Sequence, residues 1–160
     1  MAGGLSTHKE KGTFMNILLF LTPKQEVTFL YEDYTIAQAL RVMERVRYNA
    51  VPIIRRTGQY VGSITEGDLL WRIRSLENGF ADVETAPLKD VPHRKDYRPL
   101  QANMSVRDLL ETSMDQNFAP VVDDRGMFIG IITRKRVISY LRQRLERKAE
   151  EAARPERRRA

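Results

Sequence analysis

Two stretches of this chain repeat one pattern of residues at a constant spacing. Residues 49–58 read NAVPIIRRTG and residues 117–126 read NFAPVVDDRG, and the match continues from YVGSIT at 60–65 to FIGIIT at 128–133. Every matched pair of residues is separated by the same 68 positions, without a gap. Such self-similarity indicates a tandem duplication, in which two copies of one structural unit fold against each other.

Each copy contains the same predicted order of elements: strand, helix, strand, strand, helix. Thr35 and Ser105 are good N-caps, and each precedes apolar residues at helical spacing. The apolar run before the glycine turn predicts a buried strand, and the run after it predicts another strand. The predicted fold class is therefore α/β (α+β), with two βαββα units and two sheets.

The composition of the remaining segments predicts the boundaries of the units. The N-terminal segment is polar and rich in glycine, so we expect it to be flexible. Pro87 and Pro92 argue against regular structure in the connection between the units. We expect a flexible segment at 1–14, unit 1 at 15–77, a connecting loop at 78–93, unit 2 at 94–141 and a charged helical tail at 142–160.

The composition also excludes several kinds of site. The chain has no cysteine and two histidines, which excludes disulfides, thiolate zinc sites, cysteine nucleophiles and multi-histidine metal sites. It contains no P-loop, dinucleotide-binding fingerprint, Gly-x-Ser-x-Gly elbow or His-Glu-x-x-His sequence. We therefore expect a protein that is not an enzyme and needs no cofactor. The longest apolar run is too short to span a bilayer and no signal peptide opens the chain, so we expect a cytoplasmic protein.

The positive charge is concentrated near the C-terminus. The formal net charge is +6, and residues 142–160 alone carry +4. A solvated helix with Glu–Arg pairs three or four residues apart is the favoured interpretation of this tail. The alternative is non-specific contact with phosphates by Arg157, Arg158 and Arg159. Because the solvated helix is favoured, a nucleic-acid partner is not expected.

The repeated residues resemble the CBS (cystathionine β-synthase) domain. The resemblance rests on AVPII at 50–54, the glycine turn after it, GSITEGD at 62–68, and the matching residues 119–133 of the second copy. In this family, tandem domains pack sheet to sheet around a pseudo-twofold axis and leave two related clefts. These clefts bind adenosine-containing ligands: AMP, ADP, ATP, S-adenosylmethionine or cyclic di-AMP. The pairs commonly form homodimers through their second helices.

The family's adenosine-binding signature, Gly-x-x-Thr-x-x-Asp, occurs once in this sequence, with Thr65 and Asp68. An ionised carboxylate at Asp68 can accept hydrogen bonds from both ribose hydroxyls, while the Thr65 hydroxyl and helix N–H groups face a phosphate. The same spacing also fits a capping box, with Thr65 as N-cap and Asp68 at the third helical position. Both roles remain open from the sequence.

The second copy departs from the signature, because Arg136 occupies the position of the aspartate. Arg134, Lys135 and Arg136 all fall in the first turn of a helix, where positive charge opposes the macrodipole. A phosphate bound by the helix N-terminus and the guanidinium groups would offset that cost. The alternative is that these side chains point outward and their repulsion is screened.

The resemblance further implies which residues share a cleft, because each cleft draws on both units. One cleft combines Thr133, Arg134 and Arg136 with Thr22, Lys24, Val27, Tyr48, Asn49 and Ala50. The other combines Thr65 and Asp68 with Lys95, Arg98, Asn117, Phe118 and Ala119. The first of these suits a polyanionic adenine ligand such as ATP or cyclic di-AMP, since Lys24 adds positive charge, and the other suits a mononucleotide.

The remaining apolar and aromatic residues are predicted to be structural. Ala50 and Ala119 leave room for a base, on which Tyr48 and Phe118 could stack, although core packing is favoured for both rings. His93 is assigned no role. The second helices carry an apolar stripe that belongs to the core or to a dimer interface: Leu70, Trp71, Ile73, Val137, Ile138, Leu141 and Leu145.

The leading hypothesis is a non-enzymatic sensor of adenine nucleotides that signals to a partner protein. Ligand binding would join the two units and change the surface that the partner meets. Two alternatives remain: a ligand-independent dimerisation scaffold, and a nucleic-acid-binding protein that uses the basic tail.

Overall fold

The computed structural model describes residues 16–93 and 97–153, and each predicted unit forms its own sheet. The described chain opens with a 3₁₀ helix (Ile17–Phe20) and a short strand, β1 (Thr22–Pro23). The first unit then contains β2 (Leu30–Tyr31), α1 (Ile36–Val46), β3 (Ala50–Ile54), β4 (Tyr60–Thr65) and α2 (Glu66–Ser75). The second unit contains β5 (Leu100–Gln101), α3 (Val106–Asp115), β6 (Phe118–Val122), β7 (Phe128–Thr133) and α4 (Arg134–Ala153).

The two sheets share one topology. In the first, β2 is parallel to β3 and β3 is antiparallel to β4, which gives the strand order β2-β3-β4. The second repeats these pairings within the order β1-β7-β6-β5. Leu30 lies opposite Ile53 and Leu100 opposite Val121, so the register is repeated as well. The predicted fold class with two βαββα units is confirmed.

Side-chain caps determine where α1 and α3 begin. Thr35 Oγ1 accepts from the backbone N–H of Gln38 at 3.2 Å, and Gln38 Oε1 accepts from the N–H of Thr35 at 2.8 Å. Ser105 and Asp108 form the same reciprocal pair. The hydroxyl and the backbone N–H of Ser105 both donate to the Asp108 carboxylate and lower its pKa. Both predicted N-caps are confirmed.

The segment between the units differs from the irregular loop that its prolines predict. It contains two 3₁₀ helices, Gly79–Asp82 and Leu88–Asp90. The N–H of Leu88 donates to the carbonyl oxygen of Tyr34 at 2.8 Å. Burial of apolar side chains explains the order, because the core of the first unit includes Val83, Ala86, Leu88 and Val91 from this segment.

The chain before β2 packs on the second unit, although the repeat predicts that it belongs to the first. β1 pairs with β7 in an antiparallel manner, with Pro23 opposite Gly130. The preceding 3₁₀ helix, Ile17–Phe20, buries two side chains in the core of the second unit. Ile17 is fully buried there, so apolar burial fixes this crossing to the other sheet.

The two glycine turns meet at the pseudo-twofold axis. The N–H of Tyr60 donates to the carbonyl oxygen of Gly126 at 3.1 Å, and the N–H of Phe128 donates to that of Gly58 at 2.9 Å. These two bonds are equivalent under the repeat. Gly58 and Gly126 have φ of 94° and 78°, a region in which glycine avoids the strain that other residues meet.

The predicted apolar stripe of the second helices divides into a buried and an exposed part. Ile73 and Val137 are buried in the cores of their units. The other members are too exposed to belong to the core. A dimer interface therefore remains the prediction for these five residues: Leu70, Trp71, Ile138, Leu141 and Leu145.

The predicted tail helix is a continuation of α4, which extends to Ala153. Arg142 Nε and Glu146 Oε1 lie 3.6 Å apart on its exposed surface, four residues apart in sequence. Arg157, Arg158 and Arg159 lie outside the described residues. Within the described ranges, no helix combines the length and hydropathy that crossing a bilayer requires.

Replacement of Gly130 should destabilise the protein, because β1 crosses the second sheet at this residue. A Cβ there would collide with the carbonyl oxygen of Thr22 and lie 2.9 Å from Leu21 Cδ1. Gly130→Ala should therefore lower the free energy of unfolding by about 2–4 kcal/mol. Gly79→Ala is the control, since Gly79 has φ of 58° with no atom within 4 Å of the added Cβ. The Gly79→Ala substitution should lower the free energy of unfolding by only about 1–2 kcal/mol. Equal losses for the two variants in urea unfolding would contradict the close approach of β1 to Gly130.

Candidate functional site

A cleft of about 510 Å³ opens between the two units. We call it the first cleft. The chain before β2, the α1–β3 connection and β3 contribute Thr22, Glu26, Val27, Thr28, Arg47, Tyr48, Asn49, Ala50 and Pro52. The strands β6 and β7, with the residue before β6, contribute Asn117, Phe118, Ile131 and Thr133. The first cleft therefore requires both units.

Strand pairing brings the N-terminus of α4 to the first cleft. Phe118, the first residue of β6, lies opposite Thr133, the last residue of β7. The N–H of Arg134 donates to the carbonyl oxygen of Asn117 at 2.9 Å. The same arrangement occurs in the first unit, because the repeat preserves the register. The strand edge and the first turn of the helix thus form one continuous surface.

Arg136, also predicted for the first cleft, lies in a neighbouring groove with Phe20 and Tyr140, but its side chain is bonded to a residue of the cleft lining. Its Nη1 donates to the carbonyl oxygen of Leu21 and to Thr22 Oγ1, each at 3.1 Å. Its backbone N–H donates to Thr133 Oγ1 at 3.3 Å, which makes Thr133 the N-cap of α4. Thr22 and Thr133 both line the cleft. These contacts hold a positive charge beside the N-terminus of a helix, where an anion is stabilised.

Arg134 and Lys24, both predicted for the same cleft, make other contacts. The Arg134 side chain donates from Nε to the carbonyl oxygen of Gln116 at 3.1 Å and from Nη2 to that of Met114 at 3.4 Å. It therefore stabilises the C-terminal end of α3, where carbonyl groups carry negative partial charge. Lys24 Nζ lies 5.6 Å from the centre of the Phe29 ring. Neither residue is among those that line the first cleft.

The counterpart of the first cleft under the repeat is the second cleft, around Ser63, Thr65, Tyr97 and Phe118. Asp68 Oδ2 accepts from the backbone N–H of Thr65 at 2.9 Å and from its hydroxyl at 2.7 Å. Thr65 Oγ1 accepts from the N–H of Asp68 at 3.1 Å. Asp68 is only 3% exposed. The capping interpretation describes this geometry, and the ribose role of Asp68 stays a prediction.

Of the other residues predicted beside Asp68, Phe118 contributes to both clefts, since its ring stacks on Tyr97. Asn117 and Phe118 line the first cleft, and Ala119 is buried in the core of the second unit. The backbone N–H of Arg98 donates to Gln116 Oε1 at 2.8 Å, and Arg98 lines a different groove along α3. Lys95 lies outside the described residues.

Phe118 and Tyr48, for which core packing was favoured, differ in their burial. Phe118 is buried, but Tyr48 is 55% exposed at the mouth of the first cleft. Core packing is therefore wrong for Tyr48. It follows the left-handed Arg47, whose φ of 57° ends α1 and turns the chain toward β3.

Five residues that line the first cleft were not predicted: Glu26, Thr28, Arg47, Pro52 and Ile131. Pro52 and Ile131 could have been found, because the register of the hairpins places them near predicted neighbours. The sequence contains no signal for the left-handed conformation of Arg47. Glu26 lies in a 3₁₀ helix (Lys24–Glu26) that the sequence did not predict.

His93 has a structural role, although the sequence assigned it none. Its Nδ1 lies 2.8 Å from the carbonyl oxygen of Ser63. Because a carbonyl oxygen only accepts, this nitrogen carries the proton. The ring also packs beside Gly62, where a Cβ would lie 3.4 Å from His93 Cε1.

Comparison with known proteins identifies the repeat. The CBS domain model matches residues 20–75 and 88–143, which is most of the chain. The chain is similar to an uncharacterized protein of Methanocaldococcus jannaschii, at 24% identity over 78% of this chain and 92% of the relative.

Two solved structures share the fold. CbpB of Listeria monocytogenes in complex with c-di-AMP has a TM-score of 0.73 at 21% identity, and the match covers 82% of this chain and 98% of that one. CBSX2 of Arabidopsis thaliana in complex with AMP has a TM-score of 0.64 at 22% identity, with 80% and 96% covered. At these identities the likeness shows the fold alone.

The environment of Tyr97 predicts a pH dependence of stability. Burial raises the pKa of Tyr97 above its ordinary 10.0, the Asp68 carboxylate raises it further, and Arg134 opposes both. The stability that this shift contributes is complete below the unfolded pKa and is lost as pH rises toward the folded pKa. Tyr97→Phe should therefore weaken the loss of stability above about pH 10 in urea unfolding. Tyr48→Phe, at an exposed ring, should leave that loss unchanged, and identical pH profiles for Tyr97→Phe and wild type would contradict the prediction.

Proposed function

Because the chain belongs to the CBS domain family, we propose that it is a non-enzymatic regulatory protein that binds an adenine nucleotide in the first cleft. The observation that carries this proposal is a cleft that both units line, with Arg136 held beside the N-terminus of α4 by a hydrogen bond to Thr22 of that lining. The structures of family members with c-di-AMP and with AMP support it.

The size and lining of the first cleft suit a nucleotide. Small-molecule sites enclose about 300–1,000 Å³, and the first cleft has about 510 Å³. Val27 and Ala50 are small enough to leave room for a flat base, and the exposed ring of Tyr48 can stack on it. Apolar surface for the base therefore lies in the same cleft as the polar N-terminus of α4.

The charge of the rim suits the phosphate groups. Both hydrogen bonds of the Arg136 side chain to the opening segment use Nη1, so its other N–H groups remain for a phosphate. Arg47 places a further positive charge in the lining itself, of which Glu26 is the acidic member. A ligand with more than one phosphate, such as ATP or cyclic di-AMP, would match the two cations.

Signalling would follow from the position of the cleft between the units. A nucleotide that contacts Tyr48 on one side and Thr133 on the other would stabilise one packing of the pair. The change transmitted to a partner protein is limited by the difference in ligand affinity between the two packings. The exposed apolar residues of α2 and α4 are the surface that we propose for homodimer formation.

A ligand-independent dimerisation scaffold is the second candidate, and the exposed apolar stripe of α2 and α4 favours it. The two functions differ in their response to nucleotides. A ligand present at about 100 times its Kd should stabilise the folded protein by about 2.7 kcal/mol. A scaffold whose cleft is vestigial would melt at the same temperature with or without AMP, ATP and cyclic di-AMP.

Arg136→Gln should weaken the binding of AMP, ATP and cyclic di-AMP by about 10- to 100-fold, because a charged hydrogen bond to phosphate is lost. Lys135→Gln is the matched control, since it removes the same charge from the same turn of α4, where Arg136 and not Lys135 is bonded to Thr22 of the cleft lining. Isothermal titration calorimetry measures both variants. Equal loss in the two variants, or no binding of any of the three nucleotides to the wild-type protein, would contradict the proposal.

Ala50→Leu should reduce binding by about tenfold or more without changing the charge, because its larger side chain fills the space for the base. Val61→Leu enlarges an exposed residue of β4 outside the cleft lining and should bind nucleotides normally. The same titrations compare the two proteins. Normal affinity of a folded Ala50→Leu protein would exclude the base from this part of the cleft.

A further inference from the structure

The two clefts are related by the repeat, so their residues can be compared position by position. Leu30 and Leu100 open the parallel strands β2 and β5 and pair with equivalent residues of β3 and β6. Val27 and Tyr97 each lie three residues before these leucines. A small aliphatic side chain in the first cleft therefore corresponds to an aromatic ring in the second.

The Tyr97 ring is buried where the repeat places the second cleft. It stacks on the Phe118 ring with 4.9 Å between the ring centres and 25° between the planes. Tyr97 is only 5% exposed. An offset stack of two rings at this distance is also how an aromatic side chain holds a flat base. The Tyr97 ring thus occupies the kind of position that a base would take against Phe118.

Hydrogen bonds fix the backbone around Tyr97. Its carbonyl oxygen accepts from the hydroxyl of Tyr60 at 3.0 Å. The next residue, Arg98, donates its N–H to Gln116 Oε1 at 2.8 Å, and Gln116 Nε2 donates to the carbonyl oxygen of Phe118 at 3.1 Å. Gln116 thereby ties the chain that carries Tyr97 to the strand that carries Phe118.

The position equivalent to Gln116 differs in the first cleft. Sixty-eight residues earlier the sequence has Tyr48, whose side chain is 55% exposed. Gln116 is 4% exposed. The amide that joins the two backbone segments in the second cleft is thus replaced in the first by an aromatic ring at an open mouth.

The floor of the second cleft is covered as well. Ser63 corresponds to Ile131, which lines the first cleft, but Ser63 is buried. Its hydroxyl lies 2.9 Å from the Tyr60 hydroxyl, and its carbonyl oxygen accepts from His93. Tyr97 is joined to the same Tyr60 hydroxyl by its carbonyl group. The Tyr60 hydroxyl therefore contacts both Ser63 and the backbone of Tyr97.

We propose that Tyr97 decides which cleft accepts a nucleotide, because its ring, stacked on Phe118, occupies the base position of the second cleft and closes it. This inference rests on the proposed function. It adds a stoichiometry for nucleotide binding, which is one nucleotide per chain, bound in the first cleft. The closed second cleft is then the one beside Thr65 and Asp68, which keep the Thr-x-x-Asp signature. The open first cleft is the one beside Thr133, where Arg136 replaces the aspartate.

Single engineered cysteines test the closure without any nucleotide, since the chain has no cysteine of its own. Ser63→Cys reports on the second cleft, and Ile131→Cys is the matched reporter in the first. We expect a maleimide to label Ser63→Cys about tenfold more slowly than Ile131→Cys. Adding Tyr97→Val, the residue of the first cleft, should raise the labelling rate of Ser63→Cys, and Tyr60 and His93, which still contact residue 63, should keep it below that of Ile131→Cys. Equal rates with Tyr97 in place, or a Ser63→Cys rate that does not rise in a folded Tyr97→Val protein, would overturn the closure.

Titration with AMP gives the second readout. The wild-type protein should bind one AMP per chain, and Tyr97→Val should bind two. Tyr97→Phe keeps the ring and is the control, with an expected stoichiometry of one. Two AMP molecules per wild-type chain would overturn the inference. If no protein binds AMP, the proposed function fails for this ligand, and the labelling rates still decide whether Tyr97 closes the second cleft.

Discussion

Two backbone hydrogen bonds between the glycine turns hold the two units in register. Each turn donates one bond and accepts one, from Tyr60 to Gly126 and from Phe128 to Gly58. Because the bonds are equivalent under the repeat, they define the pseudo-twofold axis, and the Tyr60 and Phe128 rings stack beside it. The position of this axis decides which segment of one unit meets which strand of the other. The clefts exist only as a consequence of that arrangement.

The segment that opens each unit lies against the sheet of the other, and a glycine makes room for it each time. Pro23 lies opposite Gly130, and His93 packs beside Gly62. After the crossing, the two halves diverge. The first cleft remains open beside Val27, whereas Tyr97 fills the equivalent place. A duplicated fold thus offers two sites, and we propose that Tyr97 is the main difference between them.

Much of the fold could be predicted from the sequence, because each copy of the repeat supports the interpretation of the other. The constant offset located both hairpins, and Thr35 and Ser105 cap their helices as predicted. The sequence also predicted six residues that line the first cleft: Thr22, Val27, Tyr48, Asn49, Ala50 and Thr133. The contacts of Arg134 with the carbonyl groups of α3 could not be predicted, because they join elements about 20 residues apart through side-chain geometry. The crossing of residues 17–20 to the second core depends in the same way on tertiary burial.

A crystal structure of the protein grown with cyclic di-AMP would test most directly whether the duplicated clefts have diverged into one open and one closed site. Electron density for the ligand should lie between Tyr48 and Arg136, with the Tyr97 ring still stacked on Phe118. Density beside Thr65 and Asp68, with Tyr97 displaced from Phe118, would contradict this account.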